Sequence, residues 1–145
     1  MRVSILIYHM KKIAVGIDTI ERLKVRQEII FNQYSKVIHL TRNAPKKRDD
    51  LISTGSMYWI IKRRVLVRQK ILDISSVIRD DGSKGCEIEL DKELIHVIPT
   101  PMRPFQGWRY YSSEEAPHDL SRNNNNDEEM LTDELNTELI KLGLY

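Results

Sequence analysis

The sequence predicts an α+β fold: a small, mixed, mostly antiparallel sheet or partly open β-barrel, flanked by helices and followed by a C-terminal helix. Three observations carry that prediction. Between Met57 and Leu90 the apolar residues fall in short, β-branched, alternating stretches broken by turn residues, which is the pattern of strands. From Ile20 to Tyr34 they recur near every 3.6 residues instead, as in a helix lying on a sheet. A composition of 41% apolar and 30% charged residues over 145 positions supports one packed core of ordinary size and excludes a disordered chain.

Taken in order, Ile5 to Ile17 reads as extended, with Gly16 as a breaker. Asp18-Thr19-Ile20-Glu21 has the form of a capping box, and the helix it opens should end near Tyr34 or Ser35. Ile20, Leu23, Ile30 and Tyr34 would face the sheet, leaving Glu21, Arg22, Lys24, Arg26 and Glu28 wet. Lys36 to Thr41 reads as a strand entering Arg42-Asn43-Ala44-Pro45. Pro45 suits the first turn of a short helix through Ser53, with Gly55 as its C-terminal cap. Met57 to Lys62 and Val65 to Ile74 form the clearest strand pair, joined at Arg63-Arg64. Asp80-Asp81-Gly82-Ser83 is a turn, after which Cys86 to Leu90 returns as a strand. Leu94 to Ile98 reads as a last strand before Pro99, Pro101 and Pro104, which should forbid regular ladder pairing, and Arg103 to Tyr111 reads as an aromatic loop. Residues 1–120 would thus form a single α+β domain and residues 121–131, with asparagines at four successive positions, a polar linker. Residues 132–145 would form a C-terminal helix carrying Leu135, Leu139 and Leu142 on one face.

Charge is distributed unevenly. Ten basic and two acidic residues between Lys36 and Leu72 give a net of +8, whereas nine acidic and two basic residues from Ser112 to Tyr145 give −7. Cys86 stands alone, so an intrachain disulfide is excluded and a reducing, cytoplasmic setting is expected, with the thiol buried and inert. The apolar run Val3 to Tyr8 is short for an export signal and is followed by His9, Lys11 and Lys12, so a strand is the expected reading there. No window has the roughly 20 apolar residues of a membrane span. His9, His39, His96 and His118 lie apart from one another in no metal-binding pattern, and neither a nucleophile elbow nor a glycine-rich phosphate loop is present. No catalytic residue, cofactor or metal is indicated.

Three segments carry candidate binding chemistry. Thr41 to Arg48 lies where a strand gives way to a helix, and Arg42, Lys46 and Arg48 there would favour an anion near free backbone amides. In the hairpin Met57 to Ile74, alternation puts Tyr58, Ile60 and Lys62 on one face and Trp59 and Ile61 on the other, with Arg68 and Lys70 sharing a face of the return strand and Arg64 near the turn. A basic, aromatic sheet face can hold a nucleic-acid backbone and stack bases, but the same pattern also describes a core face opposite a wet one. Arg103, Gln106, Trp108 and Arg109, interrupted by Pro104 and Gly107, could clamp a phosphate or carboxylate while a ring stacks on an apolar group, or could plug the end of the sheet.

His9 to Gly16, Thr41-Arg42 with Pro45-Lys46, Gly55 to Lys62, Arg68 to Asp73 and Arg103 to Tyr110 together resemble an uncharacterised family of small bacterial proteins, mainly alphaproteobacterial, the domain of unknown function DUF1489. The resemblance spans nearly the whole chain from His9 and implies a bacterial, cytoplasmic protein without supplying an activity. Arg63-Arg64 departs from the small residue that the family usually has after the position of Lys62, and the asparagine run replaces a more varied linker. Thr54 to Trp59 is also loosely similar to the helix and strand beside the RNA-binding groove of PUA and ASCH barrels. On these grounds the leading expectation is an accessory RNA-binding module that uses the basic hairpin and the arginine and tryptophan loop. A binder of, or enzyme for, a small phosphorylated or nucleotide-like ligand is the alternative. An interaction module is a third, in which the acidic C-terminal helix docks on its own basic face or on a second copy; no membrane partner is expected.

Overall fold

The structure, a computed structural model, describes residues 7–120. The elements follow in the order β1 (Tyr8–Ile13), α1 (Ile20–Tyr34), β2 (Val37–Thr41), α2 (Arg48–Thr54), β3 (Ser56–Ile61), β4 (Arg64–Ile78), β5 (Lys84–Leu90), β6 (Ile95–Pro101) and β7 (Trp108–Ser112). The expected linker and C-terminal helix lie outside the described residues. The expected mixed, mostly antiparallel α+β sheet is formed: the strands run in the order β2-β5-β4-β3-β1-β7, with β6 also on β4, and β1 and β3 are the parallel pair.

β4 organises this sheet through its length of fifteen residues. β3 and β6 both pair with its first half and so take opposite edges, whereas β5 pairs with Ile71 to Ile78 in its second half. Two strands separate β2 from β3 in the sheet order, which would hold them roughly 14 Å apart if the sheet were flat. The rings of His39 on β2 and Trp59 on β3 are nevertheless 5.1 Å apart, so the sheet curls back on itself. It does not close into a barrel. β2 and β7 stay unpaired with each other, and the loop after β2 fills the space between them through a hydrogen bond from the Trp108 indole N–H to the Asn43 carbonyl (2.8 Å).

Every residue of β3 is buried, because the sheet carries a core on each face. Met57, Trp59 and Ile61 join the larger cluster with Met10, Leu23, Leu51, Ile71 and Ile88. Tyr58 and Ile60 join the smaller one with Val65, Val97 and Tyr111. The face alternation expected for the hairpin is correct, but its aromatic residues are core and do not form an open platform.

Local chemistry accounts for the other departures. α1 is capped by Thr19 rather than opened at Asp18: the Thr19 hydroxyl accepts from the Arg22 N–H (3.1 Å), and Asp18 instead pairs with the Arg22 side chain. Tyr34, expected to face the sheet, is 51% exposed at the end of the helix. α2 starts at Arg48, three residues beyond Pro45. Gly55 does follow it, but with extended backbone, so left-handed freedom is not what the position needs. A Cβ there would lie 2.7 Å from the Leu51 carbonyl oxygen and 2.8 Å from that of Tyr8, closer than a side chain tolerates. β6 runs through Pro99 and Pro101, the ladder slipping register between Val65 and Val67. Its outer edge is covered by residues 118–120, through Ile98 N–H to His118 carbonyl and Leu120 N–H to His96 carbonyl bonds of 2.9 Å each. The segment expected to be an aromatic loop contains β7, antiparallel to β1, with Trp108 and Tyr110 turned to the larger core cluster and Tyr111 to the smaller one.

The β3–β4 turn consists of Lys62 and Arg63, one position earlier than expected, with φ of 49° and 66°. Both are left-handed, as a two-residue hairpin turn of matching twist requires, and neither is a residue that tolerates this freely. Arg63→Gly should therefore raise stability by about 0.5–1 kcal/mol in urea denaturation. An unchanged or lower midpoint would mean that the turn is not strained.

Candidate functional site

A cleft of about 1060 Å³ opens where the curled sheet fails to close. Its walls come from several places in the chain. The end of β2 and the loop beyond it supply Leu40, Thr41, Arg42 and Asn43, and the β4–β5 turn supplies Ile78, Arg79, Asp80 and Asp81. The approach to β7 supplies Gln106, Gly107 and Trp108, and β1 supplies Lys12. Trp108 is fixed in the wall by its bond to Asn43 and by an edge-to-face contact with Tyr110 at 5.0 Å. The Tyr110 hydroxyl in turn accepts the backbone N–H groups of Lys46 (2.7 Å) and Lys47 (3.0 Å). Two aromatic residues of β7 thus clamp the loop that presents Arg42.

That clamp revises the anion site expected at the start of α2. The amides of Lys46 and Lys47 already have an acceptor, and Asp49 and Asp50 occupy the helix's first turn, where they answer its dipole. Arg48 is also engaged: its Nε donates to the Ile74 carbonyl (2.6 Å) and its guanidinium pairs with Asp73 (2.8 Å), tying α2 to β4.

Of the residues singled out from sequence, Arg42, Gln106 and Trp108 meet in the cleft. Arg68 does not. Both its Nε and Nη2 donate to Asp119 at 2.8 Å, and its Nη1 donates to the Ser56 hydroxyl at 2.9 Å, so it locks residues 118–120 onto the sheet. Beside it, His9 Nδ1 accepts the Ser56 N–H (3.0 Å), and burial, reinforced by the Arg68 charge, pushes its pKa down to about 4. Arg109 points to the other face of β7, its guanidinium 4.8 Å from the Phe105 ring, near Lys11, which lies 4.5 Å from the Tyr111 ring. Lys62 and Lys70 are exposed along the β3–β4 hairpin, Arg64 is half-buried at the start of β4, and Arg103 is exposed just after Met102, whose N–H bonds the Arg63 carbonyl. Lys46 is exposed beside the Tyr110 clamp. Cys86 is fully buried, and burial raises its thiol pKa.

Sequence reasoning missed Lys12 and Arg79. Lys12 looked like one of two interchangeable lysines in a strand, and only alternation separates it from Lys11: the two lie on opposite faces of β1. Burial, with the Arg26 charge, lowers the pKa of Lys12. With Lys12, Arg42 and Arg79 facing Asp80, Asp81 and Glu87, the cleft carries equal numbers of cationic and anionic side chains around apolar patches of Tyr34, Leu40 and Ile78. Among the described residues no group of three or more His, Cys, Asp or Glu side chains is placed to hold a metal ion, and no helix is long and apolar enough to cross a membrane.

Residues 10–145 match the family described as Protein of unknown function (DUF1489). The chain belongs to the DUF1489 family. No curated protein and no solved structure matches it in the corresponding comparisons. For this DUF1489 protein, therefore, the cleft itself carries the functional argument.

Proposed function

We propose that this DUF1489 protein binds a compact, nucleotide-like ligand in the cleft between the β2 loop, the β4–β5 turn and the start of β7. The observation that carries the reading is the convergence of Arg42, Lys12 and Arg79 with Gln106 and Trp108 on one concavity large enough for such a molecule. A guanidinium suits a phosphate or carboxylate through paired donors, and the partly exposed Trp108 offers an apolar wall. The acidic groups Asp80, Asp81 and Glu87 accept hydrogen bonds from sugar hydroxyls or exocyclic amines, and they oppose the close approach of a continuous phosphodiester chain. An RNA-binding role would recruit the same cleft together with the exposed Lys46, Lys62, Lys70 and Arg103.

Titration calorimetry with nucleoside monophosphates tests this. Arg42→Gln should weaken binding about tenfold, the effect of losing one charge-assisted contact, whereas Lys70→Ala should leave it unchanged. Absence of binding by the unsubstituted protein overturns the proposal. Affinity that grows with oligonucleotide length and falls steeply with salt would reassign the cleft to RNA.

A further inference from the structure

A groove of about 320 Å³ runs between α1 and β2. Val15, Ile30, Tyr34, Ile38 and Leu40 line it with apolar surface, of which Val15 and Leu40 are 66% and 57% exposed. Its charged groups are Lys12 and Arg26, and no acidic side chain among the described residues lines it. Both cations rest on backbone carbonyls: Arg26 donates to that of Val15 (2.9 Å) and Lys12 to that of Ile13 (3.4 Å). Burial and the neighbouring Arg26 charge lower the pKa of Lys12, so an anion placed beside the two would relieve a repulsion. The groove therefore suits a partner that is apolar on one face and negatively charged along its border. The cleft has no such preference, because Asp80, Asp81 and Glu87 line it beside its cations.

The chain itself supplies such a partner. Its 25 residues beyond Leu120 carry six acidic side chains against two basic ones. Leu135, Leu139 and Leu142 follow the i, i+4, i+7 spacing by which an amphipathic helix enters an apolar groove, and Glu134 and Glu138 border that face. The family match extends through this segment to residue 145. The point from which the segment departs is fixed. The Leu120 N–H bonds the His96 carbonyl (2.9 Å), and Glu21 and Lys24 of α1 are near enough to His96 for their charges to act on its pKa. Lys24 and Arg26, two positions apart, point to opposite sides of the helix, so the chain leaves along one flank of α1 and the groove lies along the other. Residues 121–130 span up to about 33 Å, ample to cross a helix about 10–12 Å wide. The outer face that such a crossing covers carries Val25 and Ile29, both more than half exposed.

We propose that residues 132–142 dock as a helix in the groove of their own chain, with Leu135, Leu139 and Leu142 on its apolar wall and Glu134 and Glu138 against Lys12 and Arg26. Tethering favours this segment over that of a second copy, because the linker holds it at high effective concentration. Docking here does not depend on the ligand proposed for the cleft.

Amide hydrogen exchange on the full chain provides the test. Residues 132–142 should exchange about tenfold or more slowly than an unstructured peptide of the same sequence. Arg26→Glu, which sets a negative charge against Glu134 and Glu138, should abolish most of that protection, and adding Glu134→Lys and Glu138→Lys should restore it. Leu139→Asp should abolish it while leaving the groove itself unaltered. Arg103→Glu, an equal change of charge outside the groove, should leave it intact. Protected amides of β3 and β4 report that each variant is folded. Protection that survives Arg26→Glu, or its absence from the unsubstituted chain, overturns the docking. Protection that rises with protein concentration assigns the groove to a second copy and overturns docking within one chain.

Discussion

Gln69→Leu is expected to lower the stability of the protein by about 3 kcal/mol, the largest effect of any single change considered for this fold. The side chain is fully buried on β4 and all of its hydrogen-bonding capacity is used. Its carbonyl oxygen accepts from the Trp59 indole N–H and from Gln27 Nε2, each at 2.7 Å, and its amide donates to Gln27 Oε1 (2.7 Å) and to the Asp91 carbonyl (2.9 Å). One amide therefore joins α1, β3, β4 and the loop after β5. Leucine has nearly the same volume, so the cost is not a cavity. It comes from leaving a buried indole N–H, a buried amide and a carbonyl without partners, each worth about 1–3 kcal/mol before relaxation. The same reasoning requires Gln27→Leu combined with Gln69→Leu to cost less than the sum of the two single changes, since the second substitution removes groups that the first has orphaned. Urea denaturation of the four proteins decides it: a loss under about 1 kcal/mol for Gln69→Leu, or strict additivity, would show that water replaces the network.

How much of this was readable in the sequence depended on the range of the interaction. β3, β4 and β5 were legible because alternation and turn residues are local signals, and α1 because its period is. The faces of β3 were assigned correctly from alternation alone. Exposure of those faces was not, because what covers Tyr58 and Ile60 is Val97 and Tyr111, which are about forty and fifty positions away and come from segments expected to be a proline-limited strand and a loop. β7 was hidden by its neighbours: Pro104 and Gly107 made the whole aromatic stretch look irregular, although Trp108 to Ser112 alternates as a strand should. At the site, Arg42, Gln106 and Trp108 were found by residue type, yet nothing local could tell Arg42, which stays in the cleft, from Arg68, whose partner Asp119 stands 51 positions further along. Lys12 and His39 were passed over because their chemistry comes from burial, which arises only when the sheet curls and brings β2 over β3.

Burial of two histidines should make the protein sensitive to acid between about pH 6.5 and pH 4. His9 and His39 each have a pKa lowered from 6.5 to about 4, burial being the main cause in both. In the unfolded chain they take up protons near 6.5, whereas in the folded protein they resist until about 4, so over this window the unfolded state binds more protons. Stability is then at its plateau above 6.5 and declines as the pH falls toward 4, these two histidines contributing up to two protons to the slope and His96, whose pKa burial also lowers, adding to it. For His9, which is only 8% exposed, a displacement of this size corresponds to roughly 3 kcal/mol across the window. Asparagine at position 9 offers an oxygen near the place of Nδ1 for the Ser56 N–H, and phenylalanine at position 39 keeps a ring against Trp59, so His9→Asn with His39→Phe should flatten the profile without removing the contacts that each ring makes. Denaturation of both proteins from neutral pH down to about pH 4 provides the check. If the doubly substituted chain loses stability as steeply as the original, the protons responsible bind elsewhere, and the two histidines are buried without governing the acid limit of the fold.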